Sequence, residues 1–157
     1  MQKLFHFDSP ADQYVADAAV LCCFDHRIQQ VVRKFVKRIG VLKPDWIIVA
    51  GGAKTLASPV NDAEQQFILQ QIRASIGLHQ ARRVILTCHS DCGAYGGLAA
   101  HAGNRRAEAE HHLRELKRAA EVARIQVPGA EIESYFIDFE GVWQAQTSPL
   151  GENPAAD

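Results

Sequence analysis

No segment of this chain approaches the ~20 consecutive apolar residues needed to cross a bilayer, so a membrane-spanning helix is not expected. The first 14 residues include Asp8, Pro10 and Asp12 and no continuous apolar core, which speaks against an export signal. An excess of either charge is also missing. The 17 Lys and Arg stand against 18 Asp and Glu, a formal net charge of −1, and offer no footprint for nucleic acid or an anionic membrane surface. Basic residues from Arg105 onward are interleaved with Glu, as on a solvated helix face. Glycine pairs occur at Gly51-Gly52 and Gly96-Gly97, but no Gly-Lys-Ser/Thr element or spaced glycine fingerprint accompanies them, so nucleotide binding is not expected. Cysteine is scarce, with 4 in 157 residues. Without an export signal the expected compartment is the reducing cytoplasm, where cysteines act as metal ligands or reactive thiols before they act as disulfides.

What is present suits one folded domain: 47% apolar and 22% charged residues over a length that supports a single core. Short apolar runs alternate with segments of helical period. The runs at 17–24, 46–50, 84–88 and 132–139 read as strands. Between them, 26–39 places Ile28, Val31, Val32, Phe35, Val36 and Ile39 at helical spacing, with Gly40 as a stop. Asn61 is the expected N-cap of a helix ending near Gly77, with Phe67, Ile68, Ile72 and Ile76 on its apolar face. A charged helix over 105–125 carries Leu113, Leu116, Ala119, Ala120 and Ala123 as a narrow stripe and is broken by Val127-Pro128-Gly129. This alternation predicts a single-domain, three-layer α/β/α fold around a mostly parallel central sheet of about four strands. Residues 1–16 form an arm and 147–157 a poorly ordered tail.

The four cysteines fall in two short clusters, Cys22-Cys23-Phe24-Asp25-His26-Arg27 and Cys88-His89-Ser90-Asp91-Cys92-Gly93, each following an expected strand. In open α/β sheets ligands bind beyond the carboxyl ends of the strands, where strand order reverses. If the two strands are parallel neighbours, two thiolates and an imidazole meet at that edge. Thiolates with imidazole suit zinc, and three protein ligands leave a position open for water or substrate.

The pair Cys23-x-Asp25-x-Arg27 and His89-x-x-Cys92-Gly93 resembles the paired signature of the β-class carbonic anhydrases, and Ala50-Gly51-Gly52 lies where that family carries an Ala-Gly turn. The resemblance implies a doubly wound α/β fold, assembly as a homodimer or larger homo-oligomer, and reversible hydration of carbon dioxide to bicarbonate by a zinc-bound hydroxide. It implies Zn2+ ligation by Cys23, His89 and Cys92, and a carboxylate–guanidinium dyad of Asp25 and Arg27 beside the metal. Gly51, Gly52 and Gly93 are the expected substrate-binding positions. The dyad would act as a gate. Arg27 can hold Asp25 by two charge-assisted hydrogen bonds and keep it off the metal, and an unpaired Asp25 would close the site. The family usually has serine where this chain has His26, a candidate proton shuttle, and a polar pair where this chain has Ile48-Val49. Alternative readings are hydrolysis of carbon disulfide or carbonyl sulfide, or a non-catalytic zinc-binding scaffold.

Outside the motifs the expectations are plainer. Cys22 and Cys88 read as small core residues. His111-His112, mid-helix among charges, read as solvated, and His101 lines the site mouth or begins a loop. Leu4, Phe5, Phe7 and Tyr14 in the arm lack a local partner and are expected to pack on a neighbouring subunit.

Overall fold

The structure, a computed structural model, describes residues 1–146, so the expected tail lies outside the described residues. In chain order the elements are β1 (Ala18–Cys22), α1 (His26–Arg38), β2 (Pro44–Ile48), α2 (Lys54–Ala57), α3 (Asp62–His79), β3 (Arg83–His89), α4 (Arg105–Gln126), β4 (Glu131–Ile137) and β5 (Val142–Gln144). Short 3-10 turns occupy Gly93–Tyr95 and Leu98–His101. The sheet order is β2-β1-β3-β4-β5, parallel throughout except for antiparallel β5. The expected α/β class holds, with five strands among the described residues rather than about four.

β1 and β3 form the centre because both are apolar on both faces, as a strand covered by helices on each side must be. Their register sets Ala19 beside Val84 and Leu21 beside Leu86. Alternation along β1 sends Ala18, Val20 and Cys22 toward α1, where they pack with Ile28, Val32 and Val36. Ala19 and Leu21 face the opposite layer, with Leu56 of α2, Ile68, Leu69 and Ile72 of α3, and Leu116, Ala119, Ala120 and Ala123 of α4. Each large buried aliphatic side chain there contributes about 1.5–3 kcal/mol. The chain leaves β1 for β2 on one side and returns to β3 on the other, so strand order reverses between β1 and β3.

Several boundaries differ from expectation for identifiable reasons. β2 begins at Pro44 rather than Trp46, which is allowed because proline is tolerated as the first residue of an edge strand. Asp17 is not in β1, since its Oδ2 accepts from the amides of Leu42 and Lys43 at 2.8 and 2.7 Å. Asn61 caps α3 as expected, its Oδ1 accepting from Glu64 N at 3.0 Å, while Glu64 Oε2 accepts from Val60 N at 2.6 Å. Val31, Phe67 and Leu113 are exposed rather than buried, because each lies beside the buried stripe of its helix and not on it. β5 and the single-turn α2 have too few residues to display a period. No helix among the described residues is long and apolar enough to cross a membrane.

Candidate metal centre

The reversal of strand order brings both cysteine clusters to one edge. Cys23 lies just past the end of β1, His89 is the last residue of β3, and Cys92 opens the following 3-10 turn. All three are buried, their potential ligand atoms lie within 4.8 Å of one another, and the two sulfurs are 4.0 Å apart. It is the one such group of buried His and Cys among the described residues. Two thiolates bonded at about 2.3 Å to a tetrahedral ion sit about 3.8 Å apart, close to the separation found. His89 Nδ1 donates to the Ser90 carbonyl at 2.8 Å, which leaves Nε2 with its lone pair. That Nε2 is buried and has no hydrogen-bond partner among the described residues. A buried, unpartnered imidazole nitrogen beside two thiols fits a soft or borderline divalent cation.

The sulfurs are prepared unequally. The Cys23 thiol is pulled well below the ordinary value by its contact with Cys92, and further by the Asp25 and Gly51 amides. The Gly51 N–H reaches Cys23 Sγ at 3.3 Å. Cys92 is pushed upward, first by that same contact with Cys23 and then by burial. Ligation of a cation by both sulfurs would need both as thiolates, so binding would release protons from this pair. By contrast, burial pushes the Cys22 thiol up to about 11 and the Cys88 thiol up to about 12. Both are inert core residues, as expected.

Two glycines make the second-strand turn compatible with this site. Gly51 and Gly52 have φ of +74° and +56°, in the left-handed region. A Cβ on Gly52 would lie 2.6 Å from the Thr87 carbonyl oxygen, so the turn can press against β3 only without a side chain.

Asp25 caps α1, its Oδ1 accepting from Arg27 N at 2.9 Å. The Arg27 guanidinium grips the same carboxylate, with Nε at 3.0 and 3.1 Å from the two oxygens and Nη2 at 2.6 Å from Oδ2. This pairing holds the Asp25 carboxyl down at about 2, so it is ionised. Arg27 also reaches the second motif: Nη1 donates to Asp91 Oδ2 and Nη2 to the Asp91 carbonyl, both at 2.9 Å. The first motif was expected to supply the dyad. That Asp91 joins it was not foreseen, although a carboxylate between two ligand positions was the available signal.

A cavity of about 620 Å³ opens over the cluster, lined by Cys23, Asp25, Arg27, Asp91 and Cys92 and by an apolar wall that includes Phe24, Ala50 and Ala94. Gly51 and Gly93 line it, whereas Gly52 is packed beneath. His26 is exposed at the start of α1, outside the lining. His101 ends its 3-10 turn with Nε2 buried, its ring 5.2 Å from that of His111. The expectation that His111-His112 are solvated fails for His112, which is fully buried between Tyr95 and Phe136. Position 112 falls on the α4 stripe with Leu116 and Ala119, and that stripe faces the sheet.

Comparison with known proteins agrees with this geometry. Residues 15–147 match the family described as "Putative carbonic anhydrase". An uncharacterized protein of Rickettsia bellii is 23% identical over 130 residues, which cover 81% of this chain and 79% of that protein. Among solved structures, a β-carbonic anhydrase of Trichomonas vaginalis superposes with a TM-score of 0.58 at 15% identity, covering 89% of this chain and 87% of that one. A β-carbonic anhydrase of Aspergillus fumigatus gives 0.59 at 13% identity over 87% and 78% of the two chains. One of two tetrameric β-carbonic anhydrases of Sordaria macrospora gives 0.58 at 14% identity over 90% and 84%.

Proposed function

For a chain that belongs to the carbonic anhydrase family as a divergent β-class member, we propose that Cys23, His89 and Cys92 hold Zn2+ and that the protein catalyses the reversible hydration of carbon dioxide to bicarbonate. The observation that carries the reading is the buried trio of two thiols and an unpartnered imidazole nitrogen, with Asp25 held by Arg27 at the rim of the same cavity. Zinc in such a site supplies water made acidic enough to react near neutral pH.

The chain's own groups divide the remaining work. Ionised Asp25 accepts hydrogen bonds and donates none, so it orients a water without storing its proton. Arg27 keeps that carboxylate aimed and adds a positive charge that draws the bicarbonate anion. The apolar wall around Phe24, Ala50 and Ala94 receives an uncharged linear substrate. Pairing of Asp25 with Arg27 favours an open, reactive site over a closed structural one, and so disfavours the scaffold reading. Exposed His26, next to Asp25 in the chain, is the candidate that would pass a proton to solvent.

We assign a homo-oligomer to the working protein. Leu4, Phe5 and Phe7 are exposed on the arm, and an apolar strip of that kind is usually covered by a partner. The test of the activity is elemental analysis of protein purified without chelator, followed by stopped-flow hydration of carbon dioxide across pH. About one zinc per chain with hydration above the buffer rate is expected. A folded, reduced, metal-free chain, or a zinc-loaded chain with no hydration from about pH 6 to 9, roughly the range spanned by zinc-bound water, overturns it.

A further inference from the structure

Arg27 is held from two directions. Its Nε and one Nη2 hydrogen serve Asp25, and the remaining bonds go to the second motif, Nη1 to Asp91 Oδ2 and Nη2 to the Asp91 carbonyl. The placement of Asp91 is itself built in. Its φ is +50°, the left-handed region that side-chain-bearing residues other than Asn and Asp rarely enter. Its amide donates to Glu108 Oε1 at 2.7 Å, and Glu108 is buried. Its Oδ1 accepts from Leu98 N at 3.0 Å. Gly97, with φ of +66°, leaves the Asp91 carboxylate in place, since a Cβ there would lie 2.9 Å from Oδ1 and push it aside. A surface aspartate with no task would need none of these four supports.

We propose that Asp91 is a positioning residue for the hydration site: it anchors Arg27 independently of Asp25, so the guanidinium stays in place as a receptor for Asp25 whether or not that carboxylate is engaged. The inference rests on the metal reading above and extends it to a third member of the gate. The physical reason is preorganisation. An arginine side chain loses much rotamer entropy when it is fixed, and when Asp91 has already fixed it, Asp25 binds without that cost. Without Asp91 the open position of Asp25 is weakened, and the carboxylate turns to the cation.

Asp91→Asn tests this without disturbing the backbone, because asparagine also accepts positive φ. The amide has one acceptor oxygen where the carboxylate has two, so it cannot satisfy both Leu98 N–H and Arg27 Nη1. Two measurements are compared between wild type and variant. The first is hydrogen exchange of the Arg27 Nε–H by NMR, assigned from its loss in Arg27→Lys. The second is thiocyanate affinity of the cobalt-loaded proteins, read from visible absorption. Exchange is expected to speed up and thiocyanate affinity to fall, each by about tenfold, the scale of one charge-assisted hydrogen bond, with cobalt content unchanged. An unchanged exchange rate, or unchanged or tighter thiocyanate binding, overturns the assignment. If neither protein takes up cobalt, the metal reading fails, and the exchange rate still decides whether Asp91 anchors Arg27.

Discussion

The phenolic hydroxyl of Tyr14 donates to Asp45 Oδ1 at 2.6 Å, and this bond ties the base of the arm to the start of β2. Tyr14, unlike Leu4, Phe5 and Phe7, therefore has the local partner it was expected to lack. Asp45 Oδ2 takes a second bond from Ser75 at 2.6 Å and a third from His79 Nδ1 at 2.8 Å, while the Tyr14 and His79 rings lie 4.3 Å apart. Burial pushes the Asp45 carboxyl up, but the bonds from Ser75, Tyr14 and His79 more than offset it, and the net position is below the ordinary 3.8. The unfolded chain therefore binds the extra proton as pH falls. The contribution is complete above about pH 4 and is lost as pH drops through the folded value. Asp45→Ala is expected to cost about 2 kcal/mol at pH 7. In denaturant melts the difference from wild type should shrink below pH 4; a gap that persists unchanged at pH 2.5 would show that the carboxylate's charge is not what holds the clasp.

His112 offers a second acid-sensitive point. Burial first, then the neighbouring His111, His89 and His101, push its imidazole down from 6.5 to about 3. Glu108 Oε1 lies 3.9 Å from Nε2, too far for a hydrogen bond. A depressed folded value means that the unfolded chain takes up the proton first. Stability is complete above pH 6.5 and declines as pH falls below it. His112→Phe, similar in shape and already flanked by aromatic rings, should flatten the decline between about pH 6 and 4. If the two chains lose stability in parallel over that range, His112 is not the titrating group.

Cys92→Ala should release the metal. Two ligands compete poorly with buffer where three succeed, and Cys23 also loses the partner that most lowers its thiol. Elemental analysis should fall from about one metal per chain to near zero, while circular dichroism stays native because the aliphatic residues of the sheet and its helices supply most of the core. Full metal retention in this variant would place the ion elsewhere.

Arg27→Ala removes the receptor for Asp25 and leaves the metal ligands untouched. Asp25 should then turn onto the cation, and hydration should fall at least ~100-fold with metal content unchanged. A crystal structure of the variant with Asp25 still directed away from the cluster, or near-normal activity, would falsify the gate.

Removal of residues 1–13 should lower the oligomeric state, because it deletes Leu4, Phe5 and Phe7 while keeping the Tyr14 anchor. Light scattering at micromolar concentration is the measurement. A wild type already monomeric, or a truncated chain of unchanged mass per assembly, contradicts the oligomer assignment.

Residues close in sequence determine what their own neighbours can settle. The runs that became β1 and β3 are readable because a strand buried on both faces must be apolar at every position, and the Asn61 cap is readable because its partner Glu64 is three residues away. The motifs of Cys23, His89 and Cys92 are readable because each directly follows a strand, and parallel strands deliver their carboxyl ends to one edge. What lay beyond reach depends on partners far along the chain. Arg27 and Asp91 are separated by 64 positions, and only the side-by-side pairing of β1 and β3 makes them neighbours. His112 sits among charged residues in sequence, and only the packing of α4 on the sheet buries it between Tyr95 and Phe136. β5 is three residues long and becomes a strand only because β4 offers it an unpaired edge. Local pattern records which face of an element avoids water; which other element covers that face is decided by the whole chain at once, since burial and long-range pairing are properties of the assembled core.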